Sequence, residues 1–225
     1  MSTVAASGQV LPSEKRKTPY FAIKLLGFAS ILSVAVFFVR HYVFFYYLHY
    51  NQAGFSQSAP NYWAMRGWLL MHITGGMTAL LIGPWQFWTG FRMRYAQLHR
   101  WTGRIFLCGV AIGSIGAFRL VFATTFGWAF GVGLFGLALA WVTTAGMAYY
   151  AILNGRVAIH KEWMVRAYVV TFAFVTFRII TDYGPTSHLK PEADLAVTAA
   201  WACWAFPLLV TEVILQLRRM YTAVL

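Results

Sequence analysis

Along this chain, apolar residues fall into blocks of about twenty, the length at which an α-helix crosses a ~30 Å hydrocarbon core, and polar residues gather between them. The blocks run roughly over 23–48, 66–90, 101–124, 127–153, 163–184 and 195–217. They predict an all-α fold, a polytopic membrane bundle of six transmembrane helices in which spans two to five form a four-helix core. The blocks are continuous rather than alternating, so an outer-membrane barrel does not fit. The organisation expected is an N-terminal tail over 1–22, a transmembrane domain over 23–219 and a C-terminal tail over 220–225. The first block is too long and starts too late for a cleaved leader, and no small-residue cleavage site follows it, so it is expected to stay as a span.

Composition sharpens this picture. With 60% hydrophobic, 18% aromatic and only 11% charged residues, and a mean hydropathy of +0.60, the chain is neither a soluble domain nor a disordered one. A net charge of +12 would suggest nucleic acid in a soluble protein, but here the cations sit between apolar blocks, where they set topology. Lys15, Arg16, Lys17, Lys24, Arg92, Arg94, Arg100, Arg104, Arg156, Lys161, Arg166, Arg218 and Arg219 all fall on one side; the other side has Arg66 and Lys190. By the positive-inside rule both termini are cytoplasmic, and the expected partners are membrane lipids and other membrane subunits, with no nucleic acid. Cys108 and Cys203 lie inside apolar blocks, which speaks against a disulfide framework. No Walker, zincin, kinase or Rossmann motif is present. Gly75, Gly76, Ala79 and Gly83 form a small-residue stripe on span two, Gly109 and Gly113 mark span three, and Gly127, Gly131 and Gly136 crowd span four. Such flat surfaces either let helices approach closely or leave room for a planar cofactor.

Ionisable residues inside spans are costly, so their depth carries the functional information. On the inner side, His99 starts span three, His160 starts span five, and Glu212 lies at a similar depth in span six. Their ordinary role is interfacial, against headgroups or at helix starts. A haem held between helices needs an imidazole from each of two facing spans, and His99 and His160, on spans of equal polarity, can supply both axial ligands to a haem iron or another metal. On the outer side, His72, Arg119 and Arg178 fall at one depth in spans two, three and five, with Arg40 and His41 level with them in span one. Asp182 is the one carboxylate nearby, so the excess positive charge calls for a lipid headgroup, a haem propionate or a quinone carbonyl; outward snorkelling of Arg40 and Arg178 is the alternative. His160 and Arg178 are 18 residues apart, five full turns of an ideal helix, which predicts that they share a face. Span four has no histidine, so a second, outer haem would need His41 or a non-histidine ligand. His49 and His188 sit in or near loops and are assigned no role.

The segments LHRWTGRIF (Leu98–Phe106) and AIHKEWMVRAYVVTFAFVTFR (Ala158–Arg178), preceded by HITGGMTALLIGPWQF (His72–Phe87), resemble a bacterial family of predicted membrane proteins, domain of unknown function 2306. The resemblance covers spans two to five, about half of the chain. It implies a polytopic protein of the bacterial cytoplasmic (inner) membrane in which His72, His99, Arg104, His160, Arg166 and Arg178 match motif positions, and it supplies no activity. A weaker, architectural resemblance is to membrane cytochromes of the b561 kind, whose ligands also come from alternate helices; the absent histidine on span four departs from that pattern. Two functions stay open from the sequence. One is an electron-transfer protein binding haem b or quinone through His99, His160, His72, Arg119 and Arg178. The other is a non-catalytic accessory or assembly subunit of a larger membrane complex. A transporter is disfavoured, because no inverted repeat is visible, although Pro84 and Pro207 could kink their helices.

Overall fold

The computed structural model describes residues 18–44, 63–124, 126–183 and 192–223. Lys15, Arg16, Lys17, His49, His188 and Lys190 lie outside them. The described residues are helical, with short turns between helices, and no strand occurs among them. In chain order the helices are α1 (Thr18–Phe38), α2 (Arg66–Phe87), α3 (Thr89–Arg94), α4 (Ala96–Leu120), α5 (Trp128–Leu153), α6 (Val157–Thr171), α7 (Ala173–Arg178) and α8 (Glu192–Ala223). Wider π-turns extend α1 over Val39–Val43 and α7 over Ile179–Tyr183.

Five stretches are long and apolar enough to cross a membrane: Lys24–Val43, Ala96–Ala123, Trp128–Leu153, Val157–Tyr183 and Asp194–Tyr221. The sixth expected span, α2, has 22 residues and so the necessary length, ~33 Å at 1.5 Å per residue. Its glycines, threonines, His72 and Gln86 dilute its apolar character. Two connections are tight: α3 links α2 to α4, and Gly155, at φ 69°, reverses the chain between α5 and α6. That left-handed conformation suits glycine, which has no Cβ to clash with its own carbonyl.

Packing follows from residue size. α2 and α4 run side by side at close range because glycines meet across the seam. A Cβ on Gly75 would collide with the backbone of Gly109 and Gly113, and one on Gly116 with the backbone of Trp68 and His72. At Gly75, Gly109 and Gly116 the two helices fill each other's small-residue surface, so no planar cofactor fits between them there, while Gly83 faces the Tyr168 ring and Gly113 also meets Trp141. α5 and α6 form a second close pair, and the pairs join through α4–α5 and α2–α6 contacts. Ala79, Phe106, Val110, Trp141, Ala145, Met164, Ala167 and Tyr168, from all four helices, make one buried cluster at the centre. α1 packs on α2, and α8 on α5 and α6. Large side chains such as Phe206, Leu209, Val213 and Leu217 point outward from α8, as suits a protein whose solvent is hydrocarbon, where only intrahelical hydrogen bonding satisfies the backbone.

One junction shows how a sequence anomaly becomes structure. Pro84 has no N–H, so within α2 the Leu80 carbonyl loses its helical donor. Gly83, one residue away, leaves open the space that the Tyr168 ring occupies. The buried Tyr168 hydroxyl then donates to the Leu80 carbonyl at 3.1 Å, tying α6 to α2.

Candidate functional site

At the end of the four-helix core where α3 joins α2 to α4, these two helices are clamped by Gln86, whose amide donates to the Thr102 hydroxyl at 2.7 Å, while that hydroxyl donates to the Leu98 carbonyl at 2.9 Å. The clamp fixes the first turn of α4, and with it His99. The His99 imidazole is half-buried, and its Nδ1 is shielded from solvent with no hydrogen-bond partner among the described residues. Its electrostatic neighbours are Arg92 on α3, Arg100 and His160.

His160, in the first turn of α6, is also half-buried, and its Nδ1 lies 2.8 Å from the Ala148 carbonyl of α5. A carbonyl can only accept, so this contact assigns the proton to Nδ1 and leaves the lone pair on Nε2. His72, in α2, is held in the same manner, its Nδ1 3.0 Å from the Gly113 carbonyl of α4, with its ring edge-on to Trp141 at 6.4 Å. Trp141 is itself anchored, its indole N–H donating to the Thr171 hydroxyl at 2.8 Å. A metal-bound histidine characteristically donates its second ring N–H to a carbonyl or carboxylate, which fixes both tautomer and ring orientation.

The outer arginines each find a separate partner. Arg119 is exposed and its guanidinium lies over the Trp68 ring at 5.6 Å. Arg178 lies over Tyr42 of α1 at 4.9 Å and 3.9 Å from Asp182, which accepts a 2.7 Å hydrogen bond from the Tyr42 hydroxyl. His41 stacks on Phe37. None of the contacts described here joins His72, Arg119 and Arg178 to one another. His160 and Arg178, expected to share a face, meet different neighbours, and the helix between them has an irregular step at Phe172, ψ −6°. His160 turns to α5 and Arg178 to α1.

A further polar group lies between α6 and α8. Arg166 is 7% exposed; its Nε and Nη2 donate to Glu212 at 2.9 and 2.6 Å, and Glu162 lies 3.7 Å away on the preceding turn. Glu162 in turn pairs with Arg219, and Gln216 donates to Glu212 at 2.7 Å. The Glu162–Arg166 spacing of four residues is visible in the sequence as a helical ion pair. The Arg166–Glu212 pair, 46 residues apart, has no local signal. Beside it, Trp163, Arg166, Trp204, Leu208 and Glu212 line a groove of about 370 Å³. Among the described residues, no group of three or more His, Cys, Asp or Glu side chains could hold a metal ion by itself, so a metal at His99 and His160 would have to bring other ligands with it, as haem does.

These features define a polytopic, all-helical membrane protein with histidines fixed between its core helices. The chain belongs to the predicted membrane protein family DUF2306, whose family model matches residues 69–215. That range takes in all but the first three residues of α2, α3 to α7 and most of α8, hence nearly all of the four-helix core. No curated protein and no solved structure matches the chain.

Proposed function

We propose that this is an electron-transfer protein of the bacterial cytoplasmic membrane, with six spans and both termini cytoplasmic, that binds one b-type haem at its inner mouth through His99 and His160. The observation that carries the reading is the pinning of His160: with Nδ1 held by the Ala148 carbonyl, Nε2 is presented as a ligand atom, and His160 lies in the electrostatic neighbourhood of His99. The shielded, unpartnered Nδ1 of His99 fits the same group, since a buried ring nitrogen with no partner is an unmet demand that an adjacent ligand would relieve. Arg92 and Arg100, charged neighbours of His99, would supply counter-charge to the propionates. When bound, the haem supplies one-electron transfer. The protein's own residues hold the imidazoles, fix the His160 tautomer and provide counter-charge. The asymmetry of Lys and Arg supports the orientation, and the fit of α2 along α4 supports counting it as a span.

A pyridine haemochrome assay on the full chain, purified in detergent from cells supplied with 5-aminolaevulinate, tests this. About one haem b per chain is expected; protein that is folded and free of haem under these conditions would remove the redox reading and leave the accessory-subunit one.

A further inference from the structure

We infer that the groove between α5, α6 and α8 is a binding site for a neutral, ring-headed isoprenoid of the quinone class that enters from the lipid. This site uses other residues than the histidine pair and does not depend on haem being bound there.

Three observations carry the inference. The first is position. Glu212 pairs with Arg166, which is nine residues, ~14 Å, along α6 from its first residue Val157, so the pair lies within the candidate spans of both helices. The groove opens outward beside Leu209, which is 62% exposed, so its natural visitors are molecules dissolved in the bilayer.

The second is charge. Arg166 and Arg219 are matched by Glu162 and Glu212, two cations against two carboxylates. A phosphate or a fatty-acid carboxylate entering here would meet Glu212 at close range and would have to displace it from Arg166, so anionic lipid is disfavoured. A neutral head can use both partners, a carbonyl accepting from Arg166 or a hydroxyl donating to Glu212. The side chain of Arg166 is 9% exposed and that of Glu212 40%, so Glu212 is the more accessible of the two.

The third is shape. Trp163 and Trp204 both line the groove, so a planar ring entering it would meet aromatic side chains from α6 and from α8. Trp204 is held by its N–H donating to the Ala200 carbonyl at 3.0 Å, and Arg166 lies over Trp163 at 4.7 Å, so neither wall is loose. Pro207, which takes the helical donor away from the Cys203 carbonyl, lies between Trp204 and Leu208 in α8 and can bend this wall.

The test is photolabelling of the full-length protein in nanodiscs with an azido-substituted decylbenzoquinone, mapped by peptide mass spectrometry. Labelling is expected on the α6 segment around Trp163 and the α8 segment 204–212, with protection by excess unlabelled decylbenzoquinone and none by phosphatidic acid. Ala205→Trp, which fills the groove without removing a charge, should reduce labelling at least tenfold; Leu209→Phe at the rim serves the same purpose should the first variant elute as aggregate. Labelling spread evenly over lipid-facing helices, protection by phosphatidic acid, or unchanged labelling in folded Ala205→Trp would each overturn the inference. The readout needs no haem, so it succeeds or fails separately from the histidine site.

Discussion

The Tyr168 hydroxyl donates to the Leu80 carbonyl, the acceptor that Pro84 leaves without its helical partner, and it does so through the space that Gly83 provides. A proline that would weaken α2 in isolation thus becomes the point at which α6 is fastened to it. Tyr168→Phe should cost about 1–2 kcal/mol, the penalty for a buried carbonyl left unsatisfied. Pro84→Ala should suppress most of that loss, because it restores the N–H that serves Leu80. Thermal unfolding in a single detergent would measure both variants and their combination. Equal losses for Tyr168→Phe with and without Pro84→Ala would contradict the coupling.

The α2–α4 seam should tolerate no side chain at its centre. At Gly75 a Cβ meets backbone atoms of Gly109 and Gly113, which cannot rotate away. Gly75→Leu should therefore separate the helices and cost at least about 3 kcal/mol, at the severe end for overpacking. Gly76, where a Cβ meets nothing within 4 Å, should accept alanine with little change. Comparing detergent-resistant folded fractions of the two variants checks this, and similar behaviour at both positions would refute the packing account.

Arg166 should matter more for stability than the exposed arginines. Removing it leaves the half-buried Glu212 with Gln216 but without its cation, a loss of about 1.5–3 kcal/mol for a hydrogen bond to a charged group, whereas Arg166→Leu with Glu212→Leu should be milder because no charge is stranded. Arg119, exposed and resting on Trp68, should tolerate glutamine with a change below about 1 kcal/mol. A double variant at Arg166 and Glu212 that is worse than Arg166→Leu alone would run against this ordering.

Reporter tags inserted after Gly127 and after Gly155, the two tight turns at opposite ends of α5, should report opposite sides of the membrane, with Gly155 cytoplasmic. Both tags on one side would contradict the orientation that the basic residues suggest.

The membrane class and the four-helix core were legible in the sequence because both rest on local quantities: block length, hydropathy and glycine spacing. The interior of the bundle was less so. Arg178 and Asp182 could be read as neighbours, being one turn apart, but the Tyr42 ring beneath that pair belongs to α1. The phase argument linking His160 to Arg178 assumed ideal turns throughout, and it carried no sign of the irregular step at Phe172 or of the different helices that the two side chains meet. Glu212 stood out as a carboxylate at inner depth, yet its pairing with Arg166 depends on how α8 lies against α6, which no periodicity encodes. His160 was visible at its helix start, whereas the Ala148 carbonyl that orients it belongs to another helix.

The central claim is that His99 and His160 together hold a haem, and the most direct measurement is the dithionite-reduced minus oxidised absorption spectrum of the purified protein beside His99→Ala, His160→Ala and His41→Ala. His41, stacked on Phe37 at the opposite end of the bundle, is the control. A Soret difference band in the wild type and in His41→Ala, lost or strongly shifted in each of the other two variants, is the predicted result. The same band surviving in both His99→Ala and His160→Ala, or absent from wild-type protein that is folded and haem-supplied, would contradict it.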